Sequence, residues 1–155
     1  MPLRYVSKEQ LAFTVEGKPF GRGRNWGHGV AGKDAYTQMI RLGAKMAMAE
    51  TKWKMTNDAV YLVIVAYVLP VLSNRVLDKK KRIQPKDPSG LATGEPRLNR
   101  MVEIITKALS GVVYKSQTQI AGITIVKKFS TEPRVEVLVG KPKDYKELAY
   151  DLRNA

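Results

Sequence analysis

Two stretches of the chain place apolar residues at the three-to-four-residue spacing of an amphipathic helix. The first covers residues 34–50, and Asp34 is a reasonable N-cap for it. Because an ordinary packed helix needs one apolar stripe, we interpret its methionines as core residues rather than as a binding surface. The stripe expected to face the core comprises Ala35, Met39, Leu42 and Met46.

The second helical pattern covers residues 98–109, and Ser110 and Gly111 are expected to end it. Its spacing is regular over three turns, so one face of this helix should pack on the core. The predicted apolar positions are Leu98, Met101, Val102, Ile105, Ala108 and Leu109.

The remaining apolar runs have the length and composition of strands. A short strand should end at Gly17, and the apolar run from Ala59 to Leu69, stopped by a proline, should form the centre of the sheet. Residues 111–129 predict a strand or a bent pair of strands. Valines alternate with polar residues over 133–140, as in a half-buried strand.

This order of elements predicts an α/β (α+β) fold, with a mixed β-sheet flanked by helices. We expect residues 1–155 to form a single domain, because the chain is long enough for one sizeable core. A basic loop should span 72–97, and the tail should form a short helix at about 143–153.

The formal net charge of +13 predicts a polyanionic partner. Nucleic acid is the first interpretation, an acidic membrane surface is the second, and a basic solvated protein is the third. Residues 75–100 carry eight basic and three acidic side chains, so phosphate contacts should concentrate there. The chain has no cysteine and no apolar run of membrane-spanning length, which fits a cytoplasmic, nucleoid-associated protein without a membrane partner.

Glycines and arginines form a loop after Gly17 that could follow a nucleic-acid backbone, or could be a solvated connector. Within it, Trp26 could stack on a base or fill the core, and the single histidine, His28, cannot build a histidine-based zinc site. The basic side chains of this loop and of the later basic cluster are Lys18, Arg22, Arg24, Lys79, Lys80, Lys81 and Arg82.

Five short segments together resemble the RusA family of Holliday-junction resolvases, which are small basic endonucleases carried mostly by phages and prophages. The segments are "FTVEGKPFGRGR", "PRLNR", "KALSG", "VVYKSQTQI" and "KKFSTEPRVEVLV", and they extend over nearly the whole chain. The resemblance implies a RusA-like domain, a homodimer, and branched or duplex DNA as the partner. It also implies a divalent metal, usually Mg²⁺, held by paired aspartates on either side of the second helix.

The positions that match those aspartates hold other residues, and we therefore expect neither a metal nor another cofactor. They are Arg97, Asn99, Ser116 and Gln117. Asp87, Glu95 and Glu103 could supply a relocated magnesium site, but Glu103 precedes Lys107 by four residues, which favours a surface ion pair.

Arg97 and Arg100 start a helix, where unpaired amides and the macrodipole favour anions. We interpret them as a clamp that holds a DNA phosphate directly, with Asn99 capping the helix or donating to the phosphate; the alternative is that they are solvated substitutions. Lys115 completes the predicted DNA contacts.

Three functions stay open at this point. The first is a catalytically inactive DNA-binding protein that acts in phage recombination, replication or transcription regulation. The second is an active Mg²⁺-dependent junction endonuclease with relocated ligands. The third is a structural or protein-interaction module whose charge serves solubility.

Overall fold

The computed structural model of the chain describes residues 10–19, 30–69, 75–77, 83–85, 91–93 and 96–141, with the backbone alone at 30–33, 75–77 and 83–85. Its strands are β1 (Gln10–Glu16), β2 (Val60–Val68), β3 (Arg75–Leu77), β4 (Ile83–Pro85), β5 (Ile120–Phe129) and β6 (Arg134–Gly140). Its α-helices are α1 (Val30–Thr51) and α2 (Leu98–Leu109), and a short 3₁₀ helix, Gln117–Gln119, precedes β5.

Four strands form one mixed sheet in the order β1-β6-β2-β5. β2 pairs in parallel with β5 and antiparallel with β6, and β6 pairs antiparallel with β1. β2 therefore lies inside the sheet, as its continuous apolar run predicts. The mixed sheet with two helices confirms the α+β fold class.

Both helices pack on one face of this sheet. Buried residues of α1 and α2 form one cluster with alternate residues of the four strands, such as Phe13, Ile64 and Val137. The opposite face has its own small apolar cluster around Val63 and Leu138. Because β6 is buried on both faces, the half-buried strand predicted at 133–140 is wrong in this respect.

The opposite face also buries a carboxylate. Arg134 Nε donates to Glu136 Oε1 at 3.1 Å, and the Arg134 guanidinium lies 3.8 Å from the centroid of the Tyr67 ring. Burial, followed by the charge of Glu136, raises the pKa of Tyr67, and Arg134 partly opposes this shift. The ion pair and the ring thus allow a charged side chain to sit inside the sheet.

Helix α2 begins and ends as predicted, with Ser110 as its C-cap residue and Gly111 at a positive φ of 80°. Met101, Ile105, Ala108 and Leu109 are buried, whereas Leu98 is exposed and Val102 is half-buried. The helical spacing was therefore predicted correctly, but the buried face of α2 is rotated away from Leu98 and Val102 and includes Ile104.

Helix α1 contradicts two predictions. It begins at Val30, so Asp34 lies inside the helix and is not its N-cap. Its buried face comprises Tyr36, Ile40, Ala44 and Ala47, which leaves the predicted core stripe exposed. Two apolar stripes compete in this sequence, and the stripe with the aromatic and smaller residues fits against the sheet.

Residues 111–129 form a turn, the 3₁₀ helix and the single strand β5, rather than a bent pair of strands. The basic loop predicted at 72–97 contains the two-stranded hairpin of β3 and β4. The predicted tail helix at about 143–153 lies outside the described residues.

Candidate nucleic-acid interface

The N-terminus of α2 has no acidic side chain in its first turn. Arg97 is the N-cap residue, with extended φ and ψ of −73° and 144°, and its side chain makes no capping hydrogen bond. Its carbonyl accepts the amides of Arg100 at 3.1 Å and Met101 at 3.2 Å. The positive end of the helix dipole is therefore flanked by two guanidinium groups rather than by a carboxylate.

Lys127, near the end of β5, adds a third cation to this helix start. Its Nζ donates to the carbonyl of Pro96 at 3.0 Å, and its own carbonyl accepts the amide of Ala92 at 3.0 Å. Lys128 forms an isolated antiparallel bridge with Leu91. The segment before α2 is thereby fixed to the edge of β5, and Arg97 follows directly after the residue that Lys127 binds.

The sheet register places further basic residues at the same end of the molecule. Glu16 pairs with Arg134, Arg134 pairs with Tyr67, and Tyr67 pairs with Lys128, so these four residues form one row across the sheet. Lys18 follows Glu16 by two residues and is exposed. We call this region the cationic end, and its basic members are Lys18, Arg97, Arg100, Lys127 and Lys128.

Two long segments also connect at the cationic end. The chain leaves the described sheet at Pro19 and again at Leu69, and the second segment returns at Leu91. These segments contain the other predicted contacts, which lie outside the described residues: Arg22, Arg24, Lys79, Lys80, Lys81 and Arg82. Trp26, His28, Asp87 and Glu95 also lie outside them.

Ser116 and Gln117 lie at the other end of α2. Ser116 is the N-cap of the 3₁₀ helix: its side chain accepts the amide of Thr118 at 3.3 Å, and its own amide donates to Gln119 Oε1 at 2.7 Å. Gln119 Nε2 donates to the carbonyls of Thr56 at 2.8 Å and Asp58 at 2.9 Å. This turn is closed by its own hydrogen bonds, and Gln117 is exposed.

The residues that match the family's aspartates before α2, Arg97 and Asn99, lie far from those that follow it, Ser116 and Gln117. The 12 residues of α2 span about 18 Å at the usual rise of 1.5 Å per residue. Lys127 contacts Pro96, whereas the Ser116 turn leads directly into Ile120 at the opposite end of β5. The structure therefore brings Arg97, Asn99 and Arg100 together, and it separates them from Lys115, Ser116 and Gln117.

Neither half offers a magnesium site. In the described ranges, no three histidine, cysteine, aspartate or glutamate side chains lie close enough together to share a metal ion. Glu103 contacts Lys107 Nζ at 3.0 Å, which confirms the predicted ion pair, and also approaches Arg100 at 3.7 Å. The described residues at these two places do not fit Mg²⁺, which needs several oxygen ligands with carboxylate charge.

The buried Tyr114 of the motif "VVYKSQTQI" is structural. Its hydroxyl donates to the carbonyl of Thr106 at 2.7 Å, close to the end of α2. Burial raises the pKa of Tyr114 well above its ordinary value of 10.0. Next to it, the Lys115 amide donates to the Thr56 carbonyl at 3.3 Å, and the Lys115 side chain is exposed.

Comparison with known proteins decides the family. The family model described as Endodeoxyribonuclease RusA matches residues 21–140, which is most of the chain. The chain belongs to the RusA family. The predicted resemblance is thus confirmed, whereas the match of Arg97, Asn99, Ser116 and Gln117 to metal-binding positions stays a prediction.

A relative of this RusA-family chain is "Uncharacterized protein YqaN" of Bacillus subtilis (strain 168). The two are 27% identical over 138 residues, which cover 83% of this chain and 94% of that protein. Among the helices of the described residues, none is both long and apolar enough to cross a membrane.

Sequence reasoning missed Lys127 and Lys128 as members of the cationic end. The signal was present, because a strand of mostly apolar residues with two consecutive lysines just before its last residue places charge at one end of a sheet. Only the parallel pairing of β2 with β5 and the bond to Pro96 assign that charge to the start of α2.

Proposed function

We propose that this RusA-family chain is a DNA-binding protein that holds branched or duplex DNA at its cationic end and does not cleave it. It acts as a homodimer in the recombination, replication or transcription regulation of phage or prophage DNA. The first turn of α2 carries the proposal, because a helix start, whose amides have no intrahelical acceptor, is combined there with Arg97 and Arg100 and with no acidic side chain in that turn.

The energetics of this helix start support a bound anion. Cations beside a helix N-terminus are unfavourable by about 0.3–1 kcal/mol each at an exposed site. A phosphate reverses that sign, because it accepts hydrogen bonds from the amides and from both guanidinium groups. Lys127 adds charge next to it, and the chain leaves the described residues near this end at Pro19 and Leu69, before two segments that contain further basic residues.

One observation supports the absence of metal-dependent cleavage. The positions that resemble the family's aspartates hold arginine, asparagine, serine and glutamine, none of which carries compensating negative charge for Mg²⁺.

An active endonuclease is the second candidate, because the family description itself is a nuclease. Its ligands would come from Asp87 and Glu95, which lie outside the described residues. A protein-interaction module is the third candidate, and it requires no DNA binding.

The test is to incubate the purified chain with a labelled four-way junction and a matched linear duplex, with and without Mg²⁺ or Mn²⁺. Retention and strand cleavage are followed in the same samples. We expect retention of DNA that weakens with added salt, and no nicks at any metal concentration.

Symmetric nicks that depend on the metal would overturn the inactive assignment in favour of the endonuclease. If Asp87→Asn and Glu95→Gln then abolished those nicks, the relocated ligands would be identified. Failure to retain either DNA at low salt would overturn DNA binding and leave the protein-interaction module.

A further inference from the structure

Four paired residues form a row across the sheet at the cationic end. The residues next to them in the chain include members of the core cluster under α1 and α2, so side-chain alternation places the row on the opposite face of the sheet. We call it the transverse row, and its members in register order are Lys128, Tyr67, Arg134 and Glu16.

Arg134 has a fixed orientation within the transverse row. Its Nε donates to Glu136 Oε1 at 3.1 Å, and its Nη1 donates to the carbonyl of Glu132 at 2.9 Å. The guanidinium also stacks over the ring of Tyr67, 3.8 Å from its centroid. Tyr67 is only 8% exposed, whereas the Arg134 side chain is 21% exposed. The guanidinium is therefore the more accessible layer of this stack, and the chain itself sets its orientation.

Stability alone does not account for the buried Glu136. This residue is 4% exposed, and its Oε2 has no hydrogen-bond partner among the described residues. A buried ion pair is seldom more stable than apolar residues in the same place, and an unpartnered oxygen adds to its cost. The carboxylate does, however, hold Nε of Arg134, which is the contact that a flat binding surface for a ligand requires.

The chemistry of the transverse row matches that of an unpaired nucleotide. Bases that are free of a double helix stack on guanidinium and aromatic planes and form hydrogen bonds through their Watson–Crick edges. Adjacent strands lie about 4.8 Å apart, so Glu16 is one strand from Arg134 on one side and Lys128 is two strands away on the other. A nucleotide stacked on Arg134 therefore has a carboxylate beside its base and an amine beside its phosphate.

We propose that the transverse row binds an unpaired base of single-stranded DNA, preferably guanine. Arg134 stacks on the base, the exposed Glu16 accepts hydrogen bonds from its Watson–Crick edge, and Lys128 binds a phosphate. Guanine fits best because its N1–H and N2–H donors lie side by side and one carboxylate accepts both, whereas adenine offers only one amino group at this edge. This inference rests on the proposed function, because DNA is the ligand, and it adds a site for a single strand.

Lys127 and Lys128 connect this site with the start of α2. Side chains alternate along β5, so Lys127 binds Pro96 on the helix side, whereas Lys128 belongs to the transverse row on the other face. A branched DNA can present duplex arms and, where the arms separate, unpaired bases. The start of α2 holds a duplex arm, and the transverse row holds a base of the strand that leaves it.

The first experiment tests the stack on Arg134. Fluorescence anisotropy measures the affinity of the full chain for a labelled thymine strand with one central guanine, and for a linear duplex of the same length. Arg134→Lys keeps the charge and a partner for Glu136 but removes the flat guanidinium. We expect about 10-fold weaker binding of the single strand, as for one lost base stack, and unchanged binding of the duplex. Equal losses for both DNAs, or no loss, would overturn the site.

The second experiment tests the carboxylate, and it stays informative if Arg134→Lys folds poorly. The wild type should bind the strand with a central guanine about 10-fold more tightly than the strand with a central adenine, as for one additional charged hydrogen bond. Glu16→Gln should lose most of this preference. Glu132→Gln is the matched control, because it removes the same charge at another exposed position, and it should keep the preference.

A guanine preference that persists in Glu16→Gln, or that Glu132→Gln loses equally, contradicts the assigned contact. The failures of this site and of the proposed function remain distinguishable. A wild type that binds the duplex but not the single strand contradicts this site alone, whereas a wild type that binds neither DNA contradicts the proposed function as well.

Discussion

The two ends of α2 are both rich in polar side chains, but these side chains have different kinds of partner at each end. At the C-terminal end, Ser116 and Gln119 close a small turn through hydrogen bonds to each other and to the residues before β2. At the N-terminal end, the first turn has no side-chain cap and is surrounded by arginine and lysine. Both ends belong to the motif by which the family was first suggested.

The difference separates structural from functional polar residues. A polar group whose partners lie within the chain contributes to folding, and its replacement should lower stability. A helix start flanked by cations gains favourable interactions when an anion binds, so replacement of those cations should lower the affinity for the anion instead. Hydrogen bonds within the chain close the C-terminal turn, whereas the helix start keeps an excess of positive charge beside its contacts with Pro96 and Glu103.

The double variant Arg97→Glu and Arg100→Glu tests the helix start. We expect DNA affinity to fall about 100-fold, from roughly 1.5 kcal/mol for each lost charged hydrogen bond. The slope of log affinity against log salt concentration should become shallower by the amount expected for the loss of about two phosphate contacts. Stability should fall less than affinity does, because acids near the helix start interact favourably with the helix dipole and offset the loss of contacts such as the Arg100–Glu103 pair.

The matched control is Lys52→Glu with Lys54→Glu, which changes the net charge equally at two exposed positions away from the cationic end. Affinity is measured by fluorescence anisotropy over a salt series, and stability by urea unfolding. Equal losses of affinity in both double variants would show that only total charge matters.

Gln119→Ala tests the closed turn. The substitution removes three hydrogen bonds and should lower the free energy of unfolding by about 1–3 kcal/mol. Gln117→Ala, two residues earlier at an exposed position, should change it by less than about 0.5 kcal/mol. Urea unfolding measures both, and DNA affinity of the folded variants should stay at the wild-type level. A large loss of DNA affinity in Gln119→Ala would assign this end to the interface.

The smallest expected effect concerns pH. Burial raises the pKa of Tyr114 in the folded chain above its ordinary value of 10.0, so the folded state holds this proton more tightly than the unfolded chain does. The contribution of this pKa shift to the free energy of unfolding is therefore fully present below pH 10. Above pH 10 the free energy of unfolding should fall by up to about 1.4 kcal/mol per pH unit.

Tyr114→Phe should remove this contribution to the slope of the free energy of unfolding against pH. It should also lower the free energy of unfolding by about 0.5–1.5 kcal/mol at all pH values below 10, because the hydrogen bond to Thr106 is lost. Tyr67, whose pKa is also raised, retains its own smaller contribution. Urea unfolding at about pH 9 and about pH 11 measures the difference. An unchanged slope in Tyr114→Phe would contradict the assigned cause.

Several elements could be predicted because one local signal dominated each of them. The run from Ala59 to Leu69 has no alternative to a buried strand, and it became β2. The regular spacing over 98–109 and the glycine after it defined α2. The ion pair between Glu103 and Lys107 needs only helical geometry, so it too followed from spacing.

The orientation of α1 could not be predicted in the same way. Its sequence contains two apolar stripes, one with Tyr36 and Ile40 and one with Met39 and Leu42. Both stripes satisfy the helical period. Gly43 lets the helix lie close to β1 with the first stripe buried, because a Cβ at this position would be only 3.2 Å from Phe13 Cδ2. This choice depends on the shape of the facing sheet, which no local pattern contains.

Local sequence signals alone were enough to predict the RusA family, the central strand, the second helix and the excess of positive charge. Tertiary structure decided where that charge gathers, because the pairing of β5 with β2 brings Lys127 to Pro96 and leaves the Ser116 turn beyond Ile120, at the opposite end of β5. It also decided which apolar stripe of α1 faces outward. Local spacing specifies a period, whereas only the packed partner selects the face that is buried and the end that remains open to a ligand.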